Sequence, residues 1–200
     1  MEHTASPTDA YISVDIETAG PNPSQYSLLT IGACTITDRP NSFYIELKPV
    51  NMNHVAQALA ISHLSMERLA EKGIEPATAM RRFEEWLIHA TPAGQRPLFV
   101  AFNAPFDWMF VNDYFHRYLG HNPFGHVALD IKAMYMGLTG VDFAETSMRY
   151  LMPRYLGDRQ FTHHALRDAM DQGEIFQKIL AEAQARRPAQ PQEPEETPTP

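Results

Sequence analysis

The nine residues Leu28 to Ile36 (LLTIGACTI) are apolar nearly throughout. A strand with only one buried face would alternate, so this run is expected to be a central strand covered on both faces. Such a strand needs a packed layer against each face. The neighbouring segments do alternate. In Tyr11 to Glu17, Ile12, Val14 and Ile16 point one way and Ser13, Asp15 and Glu17 the other. Phe43, Ile45 and Leu47 alternate again. Gly20-Pro21-Asn22-Pro23 and Asp38-Arg39-Pro40-Asn41 are turn chemistry, so three antiparallel strands open the chain.

Helical patterns follow. Ser65 to Lys72 stops at Gly73, and Pro76 suits the first turn of a helix running to His89, with Met80, Phe83, Leu87 and Ile88 as its apolar stripe. Leu98 to Phe102 is a fourth, buried strand, followed by a helix from Pro105 to about Tyr118. Val127 to Leu129 is a short fifth strand and Asp130 caps the next helix. Glu145 to Tyr155 and His164 to Ala185 complete the set. The fold class is therefore α/β, with a mixed five-stranded sheet flanked by helices.

The 200 residues fit one domain with a small excess. Residues 1–9 are expected to be a flexible N-terminus and 10–186 the folded domain. In 187–200, five of 14 residues are proline and none is a large apolar residue, so a disordered Pro/Glu-rich tail is expected. Cys34 is the single cysteine, which excludes an internal disulfide and a cysteine zinc site; inside its apolar run it reads as a buried structural thiol. MEHTASPTDA has no basic region followed by an apolar stretch, and no window approaches the roughly 18 apolar residues of a membrane span. A soluble, cytoplasmic protein with no membrane partner is expected. The net charge of −8 argues against a charge-driven nucleic-acid coat protein, though not against a nucleic-acid enzyme.

Three acidic sites stand out. Asp15 and Glu17 share one face of an otherwise apolar strand, roughly 6.5–7 Å apart along the chain. Such a pair is either the solvent face of an edge strand or a hard-cation site. In Asn103-Ala104-Pro105-Phe106-Asp107, Asp107 falls in a first helical turn at the carboxyl end of a buried strand, where open α/β sheets place ligands; it could equally complement the helix dipole. In the last helix the stripe is Leu166, Ala169, Met170, Gly173, Phe176 and Leu180. Asp168 lines up instead with Ile175 and Ile179, so it points into the protein and needs a partner. His163 lies just before that helix.

Asp-x-Glu on a first strand, Asn-x-x-Phe-Asp, and His-x4-Asp at a late helix together resemble the histidine branch (DEDDh) of the DEDD superfamily of 3′-5′ exonucleases. That family includes polymerase proofreading subunits, ribonuclease T and oligoribonuclease. Asp15-Ile16-Glu17-Thr18-Ala19-Gly20 resembles the family's opening motif and His163 to Phe176 its closing helix; the likeness covers about residues 10–185. It implies a ribonuclease H-like fold and a hydrolase that releases nucleoside 5′-monophosphates from the 3′ ends of single-stranded DNA or RNA. It also implies two divalent cations, Mg²⁺ or Mn²⁺, held by Asp15, Glu17, Asp107 and Asp168, with Asp15 bridging and His163 as general base. His164 is adjacent, but the family spacing favours His163.

By the same likeness, Thr18, Ala19 and Gly20 hold the terminal nucleotide through backbone groups, small side chains permitting close approach. Asn103 either bonds near the terminal sugar or holds its turn, and Phe106 either stacks on a base or is core. Arg149, Arg154, Arg159 and Arg167 are candidates for backbone phosphates, or else solvated surface arginines. The resemblance also allows a homodimer. A catalytically silent binding module would be expected to lack one of the five positions, and a His-Asp phosphohydrolase is disfavoured because the chain has no adjacent His-Asp pair.

Overall fold

The computed structural model describes residues 8–160 and 162–186. The Pro/Glu-rich stretch 187–200 lies outside them. β1 (Asp9–Thr18) pairs antiparallel with β2 (Leu28–Thr35), and β2 antiparallel with β3 (Ser42–Glu46). β4 (Arg96–Ala101) runs parallel to β1, and β5 (Ala128–Asp130) parallel to β4. The sheet order is β3-β2-β1-β4-β5. β1 begins earlier than expected: Asp9 is already paired with Arg96, and their side chains form a 2.6 Å ion pair.

All eight residues of β2 are buried, as its unbroken apolar run requires. The two layers that bury it are distinct. On one face, α3 (Pro76–Ala90) and α4 (Ala104–Leu119) pack Phe83, Leu87, Phe110 and Phe115 onto Ile12, Val14, Ile16 and Phe99. On the other, α5 (Ile131–Thr139), α6 (Met148–Tyr155) and α7 (Ala165–Ala185) supply Ile131, Leu151, Phe176 and Ile179 around Val100. The alternation of β1 is thus resolved. Its isoleucines and valine face α3 and α4, while Ser13 faces α7 and donates to the Ala169 carbonyl at 2.7 Å. Cys34 is buried, and burial pushes its thiol up to about 12, as a structural cysteine requires.

Some local readings change. Ile88 is 67% exposed; the buried stripe of α3 is Ala79, Met80, Phe83 and Leu87. Met170 is likewise exposed, because the inward face of α7 is centred on Asp168, Ala169, Gln172, Ile175 and Phe176. A short helix α1 (Ala56–Ser62) that the sequence pattern did not single out precedes α2 (Met66–Lys72). α1 has no side-chain cap, and seven residues are too few to hold a helix alone. Docking holds it: the Val55 N–H donates to the Ala19 carbonyl at 2.8 Å, and Leu59 packs with Ala19, Leu29, Met66 and Leu69. The expected helix from Glu145 is a 3₁₀ turn (Phe143–Thr146) followed by α6.

Candidate active site

The site forms where β1 and β4 part. Their ladder ends at Ser13 and Val100, while β1 continues to Thr18. Beyond that point β1 has backbone groups on its β4 side with no strand to pair with. Side chains take over. The Ile16 N–H, between Asp15 and Glu17, donates to Asp107 Oδ1 at 3.2 Å. The Val14 carbonyl accepts from Gln172 Nε2 at 2.8 Å, and the same amide accepts the Phe102 N–H at 2.7 Å. Gln172 therefore stands in for one step of a β-ladder.

Each acidic residue is delivered by a different element. Asp15 and Glu17 rise from β1, partly exposed, towards α7. Asp107 comes from the first turn of α4 and is buried. α4 starts where it does because Asn103 adopts a left-handed conformation (φ 65°), which asparagine tolerates. Asp130 ties this corner down: one carboxylate oxygen caps α5 at the Ala133 N–H, the other accepts the Ala104 N–H at 2.7 Å. Asp168, buried at the start of α7, accepts from the Thr162 hydroxyl at 3.0 Å and the His164 N–H at 3.1 Å. α7 lies close over the sheet because Gly32 leaves room. A Cβ there would stand 2.1 Å from the Ala165 carbonyl carbon.

His163 also has positive φ, 50°, a strained state for a non-glycine residue that brings its ring to the site. One ligand atom each from Glu17, His163 and Asp168 lies within 4.8 Å of the others. Asp15 and Asp107 stand outside this tightest group but interact with it electrostatically. Burial first, then the charges of Asp107, Glu17 and Asp168, raise the Asp15 carboxyl well above its usual range. Burial and Asp168 push Glu17 up to about 8. Burial raises Asp107 and Asp168 too, against the hydrogen bonds that favour their charged forms. Among the described residues, none of the four is ion-paired with a lysine or arginine. Four converging carboxylates that destabilise one another's charge, with oxygen donors only plus one imidazole, are a donor set suited to a hard divalent cation.

The remaining expectations separate. The Thr18 hydroxyl donates to the Gly20 carbonyl, closing its own loop. Ala19 is fully buried, and its N–H and carbonyl are both engaged, with Ser27 and Val55. Gly20 is small because the Tyr26 ring sits 2.4 Å from where its Cβ would be. The small residues of this loop thus answer to packing. Asn103 is exposed and makes no side-chain cap bond, so the turn is held by its backbone and its amide faces solvent. Phe106 packs against the core and lies 5.6 Å from Phe110, ring to ring. Of the four arginines, Arg154 is spent on Glu182 and Arg159 on Asp171 and Glu174; Arg149 and Arg167 make no ion pair among the described residues.

Sequence reading missed Gln172, Gly32 and the second role of Asp130. Gln172 carried a signal, being one helical turn after Asp168 on the same inward face. It also missed Tyr44, level with Gly32 and Asp15 across the sheet, whose ring stacks on His164 at 4.8 Å.

The exonuclease family model (RNase_T) matches residues 12–176. The chain belongs to that family. A 3′-5′ DNA exonuclease, Cap18, of Escherichia coli is 41% identical over 175 residues, covering 86% of this chain and 91% of that one. Among solved structures, the nuclease domain of 3′hExo, a DEDDh family member bound to rAMP, has a TM-score of 0.72 at 12% identity, covering 87% of this chain and 92% of that one. E. coli ExoI in complex with single-stranded DNA has a TM-score of 0.67 at 17% identity over 90% of this chain and 42% of that one. The family assignment makes the protein a nuclease, a 3′-5′ exonuclease hydrolysing phosphodiester bonds, with the ribonuclease H-like fold. Its family is divalent-metal dependent, in accord with the donor set at β1. No helix among the described residues is long and apolar enough to cross a membrane.

Proposed function

We propose that this exonuclease removes nucleotides from the 3′ end of single-stranded DNA, and that Asp15, Glu17, Asp107, Asp168 and His163 carry the reaction. The observation that bears most weight is the convergence of four carboxylates, without a paired lysine or arginine among the described residues, beside one imidazole. The four carboxylates would hold two divalent cations, Mg²⁺ or Mn²⁺, which when bound supply Lewis-acid activation and neutralise charge on the departing oxygen.

His163 takes the proton of the attacking water, as an imidazole can near neutral pH. Asp168 sits beside it and stabilises the ring once it is protonated. The water oxygen bonds to phosphorus, the bond from phosphorus to the 3′ oxygen breaks, that oxygen takes a proton from solvent, and a nucleoside 5′-monophosphate leaves a strand with a new 3′ hydroxyl. Asp107 and Gln172 keep the end of β1 apart from β4, so that Asp15 and Glu17 face this reaction. Asn103, whose side chain makes no cap bond to the turn, would meet the terminal sugar. The loop Thr18 to Gly20 shapes the pocket for the terminal nucleotide, Ala19 as a packed support. Phe106 supports the wall of the cleft from the core side.

The choice of DNA follows the 41%-identical relative, named as a DNA exonuclease. The test is release of 5′-mononucleotides from 3′-labelled single strands of DNA and of RNA, with Mg²⁺ or Mn²⁺. Faster release from DNA is expected, lost in Asp15→Asn. No release from either strand would remove the reading, and preference for RNA would overturn the substrate.

A further inference from the structure

Past the ends of β1 and β4 stands a group of side chains that none of these roles uses. Ser13 is level with Val100; two residues further on, Asp15 lies on β1 and Phe102 in the turn just past β4. Phe102 packs with the apolar cluster that contains Val100. Lys132 stands two residues past the Asp130 cap of α5. It holds its Nζ 5.9 Å from the centroid of the Phe102 ring and 4.2 Å from that of Phe143. Phe143, at the start of the 3₁₀ turn, is 58% exposed.

An ammonium between two aromatic faces is held by their quadrupoles without being neutralised. Lys132 makes no ion pair among the described residues, whereas Arg154 and Arg159 are committed to carboxylates. The next element repeats the pattern: the Arg149 guanidinium lies 5.9 Å from the ring of half-exposed Tyr150. Uncommitted cations beside open aromatic faces are what a single strand needs, charge for its phosphates and a ring for its bases. In a chain of net charge −8, that combination is locally complementary to a polyanion.

We propose that Lys132 and Phe143 form a subsite for the strand upstream of the scissile bond. Lys132 meets a backbone phosphate, Phe143 stacks on a base, and Phe102 is the wall that joins this subsite to Asp15. The proposal rests on the exonuclease reading above.

The test is fluorescence anisotropy of a labelled oligothymidylate titrated with protein carrying Asp15→Asn, which binds without turnover, over a series of salt concentrations. Adding Lys132→Gln should weaken binding and reduce the slope of log Kd against log salt by about 0.7, one single-strand phosphate. Adding Phe143→Ala should weaken binding roughly tenfold with little change in slope, and Phe143→Trp should restore it. Thermal melts accompany each variant; if Phe143→Ala unfolds, the salt slope of Lys132→Gln decides alone. Unchanged affinity and slope in variants that melt like the parent would overturn the subsite. The parental enzyme's release of mononucleotides is measured alongside, and its absence would instead sink the exonuclease reading.

Discussion

Gln172→Leu removes the amide that bridges β1 and β4 while nearly keeping its volume. Gln172 is 1% exposed, and its two hydrogen bonds are 2.8 Å to the buried Val14 carbonyl and 2.7 Å from the part-buried Phe102 N–H. Leucine satisfies neither. A buried backbone group left without a partner costs about 1–3 kcal/mol, so the pair should cost about 2–6 kcal/mol. That is a large share of the roughly 5–15 kcal/mol that holds a domain of this kind. Urea unfolding should show the midpoint falling by about 1–3 M with the slope unchanged. Val14 and Phe102 adjoin Asp15 and Asn103, so kcat should fall with it and more Mn²⁺ should be needed for half-maximal rate. Gln172→Glu keeps an acceptor for Phe102 but repels the Val14 carbonyl, and should fall between the two. One outcome would refute the reasoning: a leucine variant as stable as the parent with the same Mn²⁺ dependence. The strands would then close the gap themselves, and the amide would not be setting the spacing.

Gly32→Ala should be destabilising by about 1–3 kcal/mol or more, because its Cβ would meet helix backbone at 2.1 Å and α7 must lift; loss of turnover beyond that explained by unfolding is expected as Asp168 moves. The protein treated with chelator should lose stability as pH rises. Glu17 is pushed up to about 8 in the fold from an ordinary 4.5, so between those values the folded state binds more protons than the unfolded. Thermal melts across that window should fall towards the alkaline side, and added Mg²⁺ should restore them most at high pH; a flat profile would count against a charge-stressed site. His163→Ala should lower turnover by roughly 10²–10⁴-fold, His164→Ala much less, since the His164 ring is stacked on Tyr44. Equal losses would reassign the base.

The antiparallel pairing of the first three strands, the two-sided burial of β2 and the inward turn of Asp168 were legible in the sequence. Each is written in short-range pattern. Alternation placed Asp15 and Glu17 opposite Ile12, Val14 and Ile16, and helical spacing turned Asp168 inward with Ile175 and Ile179, which are both buried. Turn residues and the Asp130 cap marked the boundaries, because capping and turn preferences act within a few residues. Pattern alone could not decide which of several apolar residues on a helix meets the sheet, and so Ile88 and Met170 came out exposed. Nor could it say which charges are spent. Along the chain Arg154 and Arg159 could be phosphate ligands or solvated surface arginines; carboxylates 28 and 12 residues away take them. Gln172 reaches across 158 residues to Val14, and Gly32 is small because of a helix that begins at Ala165. Such contacts pair groups brought together only when sheet and helices pack. Local sequence fixes which way a side chain faces, whereas the layer packed against it fixes what it meets.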